Sequence, residues 1–460
     1  MFLLDRARCR WTCLVLLLAQ QAAAQQPAPQ ADPSDFGLEI PAGGPVAPGA
    51  GRRVILTEDD SERVALVHAD VADRRIVITP EGRLRSVPIG QTKQTSQPFV
   101  GLTKDELAKQ LTAKAFAGFN TRTSGHYLYV YNCSPGFYKA TRNILETMHP
   151  SVVAYFKRQK FQVSEPPTPL VIVIFHTEEQ FQKYHPMPPG VVAYYSAVSN
   201  YVVMYEQSKL VDIAPELAAK QSIATIAHEG VHQILHNIGI QQRLWRCPMW
   251  ISEGLPEFFA PTSAKDRARW AGFDKVNDMR LYELRQVLDS NNTSMRELVE
   301  QTITAPRLSS TGYATSWALT SYLLKMKRNA FHAYLAEVSK TPAFTEAEPG
   351  PAATAAADRA QFSKHFGGDF QKLSANLLKY LQKFPKADPV ANQTHFVVML
   401  DTPTQKSAGV TTSPTAVRQW QQDALGSVPP NVRGRASFQI QSFPDRMTAE
   451  NYAQQWLKQK

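Results

Sequence analysis

Two hydrophobic periods divide the chain. Between Ile223 and Ile238, apolar residues (Ile223, Ile226, Ala227, Val231, Ile234, Leu235, Ile238) recur every three or four positions, the spacing of one helix face. Residues 216–227 are rich in helix formers, Pro215 suits a first turn and Gly239 a stop, so the pattern predicts one helix over about 215–238. Elsewhere the runs are shorter. Residues 54–56, 64–67, 75–78 and 84–87 read as strands of a small β-rich unit over 53–118, with Thr103 capping a helix near its end. From 119 to 385 strands and helices mix. Residues 127–131 are a strand, and 135–157 a helix with a break at His149-Pro150. Residues 170–175, apolar throughout, form a central strand, and 191–194 with 201–205 a hairpin about Ser199-Asn200. Residues 341–360, rich in Pro and Ala, are expected to be a flexible surface insertion, followed by a helix over 362–384. Residues 386–460 read as a separate α/β unit, with strands at 395–400 and 436–442 and helices at 414–424 and 448–458. The fold class is therefore α+β: a mixed sheet packed on the 215–238 helix, a helical subdomain after it, and small β-rich and α/β units at the two ends.

That helix carries His228-Glu229-Gly230-Val231-His232. Residues four apart stack on one helix face, so both imidazoles can reach one metal ion about 2.0–2.1 Å from each ring nitrogen. Glu229 is offset from the pair and can take a proton from a water at the metal without binding the ion itself. His236 lies about 12 Å of helical rise from His228, too far to join the same ion. Twenty residues separate His232 from Glu253, in Trp250-Ile251-Ser252-Glu253-Gly254. Two histidines plus Glu253 leave the fourth position of a tetrahedral zinc open, the arrangement of a hydrolytic site. Glu257 competes for the ligand role. Four residues beyond Glu253, it is also a candidate to accept the other ring N–H of His228 and so fix its tautomer.

HEGVH followed by WISEGLPEFF resembles the gluzincin (peptidase MA-like) zinc metallopeptidases. Within that group it resembles an uncharacterised exported bacterial family of unknown function common in planctomycetes. The specific motifs cover about 227–259, with looser similarity from about 120 to 385. The resemblance implies Zn2+ held by His228, His232 and Glu253, with Glu229 as general base. It implies a tyrosine on a later helix donating to the oxyanion, for which Tyr313 in Gly312-Tyr313-Ala314 is the candidate. It also implies that the last strand before the helix lines the cleft and pairs with the substrate backbone, which here is 200–205. One departure is Pro256. Proline fits only a first helical turn, which places Glu253 at the start of its helix.

The N-terminus changes the setting. Arg6, Arg8 and Arg10 precede an apolar run from Trp11 to Ala19 and an Ala22-Ala23-Ala24 cleavage site, so 1–24 reads as a signal peptide and 25–52 as a Pro/Ala-rich linker. No stable membrane span is expected after cleavage, and the mature chain is expected to be secreted or periplasmic. Cys133 and Cys247 remain, either paired or as separate thiols. The composition, 43% hydrophobic and 20% charged, is that of a globular enzyme. A net charge of +10 allows weak attraction to anionic polymers, but no zinc finger, basic run or phosphate-cradling loop points to nucleic acid. The expected partner is a peptide or protein substrate. A faint likeness of FQIQSF and AENYAQQWL to peptidoglycan-binding SPOR repeats adds a cell-envelope polymer. The alternative is a non-catalytic envelope-binding protein on a metallopeptidase-like fold.

Overall fold

The computed structural model describes residues 33–458, apart from 42–44, 59–60, 189, 208–214, 245, 264–268, 291–292, 342, 344–349, 386–393, 404–405, 413–416, 419–420 and 422–434. The signal peptide expected at 1–24 and most of the helix expected at 414–424 lie outside the described residues. The chain divides into two compact units, a larger one of residues 26–206 and 222–384 and a smaller one built on 385–460.

The larger unit opens with a six-stranded antiparallel sheet: β1 (Val46–Pro48), β2 (Arg53–Glu58), β3 (Ser61–Val71), β4 (Arg74–Ile78), β5 (Leu84–Pro88) and β6 (Thr92–Gln94). On β3, Ala65 and Val67 join one buried cluster with Val54, Leu56 and Val77, and Ala69 and Val71 another with Ile76, because a register shift between Val67 and Ala69 turns the strand over. Helix α1 (Lys104–Ala113) follows, closed by a capping box between Thr103 and Glu106.

The second sheet positions the site. It comprises β7 (Asn120–Ser124), β8 (Tyr127–Tyr131), β9 (Leu170–Thr177), β10 (Ala193–Ser196) and β11 (Tyr201–Gln207), in the order β10-β11-β9-β8-β7. Helix α2 (Pro135–Arg158) crosses over between β8 and β9, which run parallel. Tyr127, Tyr129 and Tyr131 point into one core and Leu128 and Val130 into another, so β8 is covered on both faces. On the second face lies α3 (Glu178–Tyr184), through Phe181.

Two sequence expectations fail here. Helix α2 does not break at His149-Pro150 but runs through Pro150. The lost hydrogen bond is offset because Ile144, Leu145 and Met148 before the proline, and Val152 and Phe156 after it, sit in the same core. Nor is 200–205 the edge of the sheet. β11 lies between β9 and β10, and the edge strand on that side is β10.

Helix α4 (Pro215–Asn237) packs on the first face, followed by α5 (Met249–Phe259), a short β12–β13 ribbon (Thr262–Ser263, Arg269–Trp270) and the helices α6 (Asp278–Asp289), α7 (Met295–Thr304), α8 (Ser310–Met326), α9 (Arg328–Val338), α10 (Pro351–Phe366) and α11 (Phe370–Leu381). The expected insertion at 341–360 is therefore helical from Pro351 onward, with Pro351 at the helix start, where its missing N–H costs nothing, and Asp358 buried. Gly367, at φ 91°, separates α10 from α11 within the single helix expected at 362–384.

In the smaller unit, strands β14 (His395–Asp401), β15 (Lys406–Thr411) and β16 (Ser437–Phe443) form an antiparallel sheet in the order β15-β14-β16. Helix α12 (Arg446–Lys458) covers it, packing Ala449, Ala453 and Trp456 on Val397 and Met399. The whole is a mixed α/β architecture. Among the described residues no helix is long and apolar enough to cross a membrane.

Candidate metal centre

Helix α4 reaches the core because Gly230 lets it approach α2. A Cβ there would lie 2.3 Å from Leu145 Cδ2 and 2.9 Å from Met148 Cε. Val231, Ile234, Leu235 and Ile238 fill the core, and His228 and His232 are left side by side, both buried. Helix α5 brings Glu253 to them. Trp250, wholly buried, fixes that helix by donating from Nε1 to Tyr334 Oη at 3.1 Å. Contrary to the expectation drawn from Pro256, Glu253 does not start its helix. It is the fifth of eleven residues, and Pro256 sits inside the helix, where burial of nearly the whole of α5 holds it.

The three ligand atoms converge. His228 Nε2 lies 3.1 Å from Glu253 Oε2, His232 Nε2 lies 3.3 Å from the same oxygen, and the two Nε2 atoms are 3.2 Å apart. Ligands at about 2.05 Å from a tetrahedral ion stand roughly 3.3 Å from one another. Two imidazoles and a carboxylate converging on one point need a proton or a metal cation between them. The donor set, two nitrogens and one oxygen, suits zinc. His228, His232 and Glu253 are the His/Cys/Asp/Glu cluster of metal-binding spacing found among the described residues.

Around that triad the sequence candidates fall as follows. Glu229 Oε2 accepts the Tyr195 N–H at 2.8 Å, which ties it to the edge strand β10. Burial, reinforced by the Glu253 charge, pushes its carboxyl up to about 7 against the opposing pull of His232 and that hydrogen bond. Burial also acts to raise Glu253, but the two imidazoles outweigh it and hold this carboxyl below the usual carboxylate range. Glu257 stands on the other side of His228, with Oε1 3.5 Å from Nδ1, and so is not brought to the ligand point. The buried Tyr313 ring packs edge-on to His228 with centroids 6.3 Å apart. Its phenol is pushed up by burial and by the Glu253 and Glu229 charges. His236 stacks on Tyr195 at 5.3 Å. Burial pushes its imidazole down to about 3, leaving it neutral. Cys133 and Cys247 are free thiols.

Apart from the turn at Asn200, several contributors carry no sequence signal. Asn200 and Asn237 exchange amide hydrogen bonds at 2.9 and 2.7 Å, Tyr195 Oη donates to Asn200 Oδ1 at 2.9 Å, and Gln233 Nε2 donates to Asn200 O at 2.7 Å. This pins the β10–β11 hairpin to α4. Asn200 at φ 65° is the turn residue, a conformation asparagine tolerates well. Arg280 is buried against Glu257 and lies with its Cζ 5.3 Å from the Tyr313 ring centroid. A polar residue at a helical spacing gives no hint of such a partner until the helices are packed.

Residues 222–345 match the family described as "Protein of unknown function (DUF1570)". That span takes in His228, Glu229, His232, Glu253, Glu257, Arg280 and Tyr313. Among curated proteins, none matches the chain. A His228-Glu229-x-x-His232 motif on one helix, closed by a glutamate from the next, is thus a zinc-metallopeptidase-like triad of the gluzincin type.

Proposed function

We propose that this protein is an exported zinc metallopeptidase that hydrolyses peptide bonds in a peptide or protein substrate. The observation that carries the reading is the meeting of His228, His232 and Glu253 at one point, with Glu229 beside them and fixed to an edge strand. His228, His232 and Glu253 would hold a zinc ion, which when bound would supply Lewis-acid polarisation of the substrate carbonyl and of the attacking water.

The chain's own residues account for the rest. Glu229 takes the proton of the attacking water and returns it to the leaving amine. Its raised carboxyl suits a group that must both accept and release a proton near neutrality. The Tyr195 N–H holds one Glu229 oxygen and leaves the other for that exchange. Among the described residues no further strand lies beside edge strand β10, and an extended peptide adds there as the next strand, next to the Tyr195 N–H that Glu229 holds. Tyr313 is the donor to the oxyanion, and Glu257 orients His228 through Nδ1. The basic segment and apolar run at the N-terminus support export to the periplasm or outside the cell.

Glu229→Gln tests the assignment. The variant should bind zinc with wild-type stoichiometry and lose peptide cleavage by about three orders of magnitude or more, within the range seen when a general base is removed. Cleavage of a mixed peptide pool, read by mass spectrometry with a chelator control, measures both. Full activity in Glu229→Gln rules out the assigned base.

A further inference from the structure

Glu257 and Glu253 are both buried and both face His228, one on each ring nitrogen. Sequence spacing leaves either glutamate free to be the third ligand. What separates them is the surroundings of Glu257. Arg280 Nε and Nη2 donate to its Oε1 at 3.1 and 2.7 Å, and Asn277 Nδ2 donates to its Oε2 at 2.9 Å. Arg280 Nη1 is itself anchored on Glu283 Oε2 at 3.1 Å, within the same helix. Both oxygens of Glu257 are thus engaged from α6 and its N-cap residue, on the side of His228 away from Glu253.

We propose that Arg280 is a positioning residue that decides which glutamate binds the metal. It clamps Glu257 onto His228 Nδ1 and keeps it off the ion, leaving Glu253 as the ligand. The inference rests on the metallopeptidase reading of the site. Three carboxylates, Glu229, Glu253 and Glu257, lie buried close together, and a buried carboxylate without a counter-charge is costly. The Arg280 guanidinium supplies that charge as a planar fork with two N–H groups on one oxygen, which restricts rotation of the carboxylate as well as neutralising it. Released from the fork, Glu257 would find its nearest strong cation at the metal point one imidazole away. The same guanidinium lies against the Tyr313 ring, so α6 holds both groups that flank His228.

The test is cobalt(II) and zinc titration of the full chain, with Arg280→Met, Glu257→Gln and the double variant beside the wild type. Arg280→Met should shift the visible cobalt spectrum, because a second glutamate reaches the ion. Glu257→Gln in that background should return the spectrum to the wild-type form, since a neutral amide is a poor ligand. Zinc affinity should fall about 10–100-fold in either single variant, the usual effect of losing a group that orients a ligand, and no further in the double. A wild-type spectrum in Arg280→Met, or affinity losses that add in full, overturns the proposal. Should Arg280→Met not fold, Arg280→Lys replaces it. One ammonium cannot make the paired contact, so the spectrum must still shift, and an unshifted spectrum again overturns the clamp. A wild-type chain that binds neither ion would instead refute the metal-centre reading itself.

Discussion

Gly254 follows the third ligand directly, and replacing it with alanine measures how tightly the site depends on the packing of α5 against α8. A Cβ at Gly254 would lie 2.3 Å from Thr320 Oγ1 and 3.0 Å from the Ser316 carbonyl oxygen. The first contact falls about 1.1 Å short of the 3.4 Å at which ordinary contact begins. The second is with backbone, which cannot rotate away, so α5 must move by several tenths of an ångström even if Thr320 yields. Overpacking of this kind costs about 1–3 kcal/mol, against which the better helix propensity of alanine returns up to about 1 kcal/mol. The metal-free protein should therefore lose about 1–2 kcal/mol, or roughly 1–3 °C in melting temperature for a unit of this size. The larger effect should fall on the metal. Ligand distances tolerate only about ±0.2 Å, and Glu253 is the neighbouring residue on the displaced helix. Zinc affinity should fall about tenfold or more, removing about 1.4 kcal/mol of the stabilisation that saturating zinc confers. Melting curves with chelator and with a fixed excess of zinc separate the two losses. Thr320→Ala added to Gly254→Ala removes the 2.3 Å contact but not the 3.0 Å one, so it should recover part of the stability. Melting of Gly254→Ala indistinguishable from wild type under both conditions would refute the reasoning, as would a double variant no more stable than the single.

Two further outcomes follow from the same geometry. Tyr313→Phe should keep zinc bound and lower kcat about 10²–10³-fold if its hydroxyl serves the oxyanion, whereas an unchanged kcat would make it a core aromatic only. Asn237→Ala leaves the Asn200 amide nitrogen buried without its partner and unpins the hairpin that carries Tyr195. Chemical denaturation should show a loss of about 1–3 kcal/mol, and peptide KM should rise more than zinc affinity falls; equal effects on both would contradict a role through β10.

Sequence alone determined the helix that carries His228, Glu229 and His232, because a 3.6-residue period and the i, i+4 spacing are local properties. It made Glu253 a candidate ligand, and it determined that most strands of both sheets exist, since alternation and apolar runs are also local. It did not settle the choice between Glu253 and Glu257, because Arg280 and Asn277, twenty or more residues on, meet Glu257 only once the helices are packed. Nor did it show that β10 rather than β11 is the outer strand of the hairpin. Which of two hairpin strands stays unpaired is set by sheet order, and β11 is taken by β9. Pro150 and Pro256 read locally as helix breaks or starts, yet both sit inside helices. Burial of the flanking faces in one core outweighs a single missing hydrogen bond, and that balance exists only once the elements are packed together.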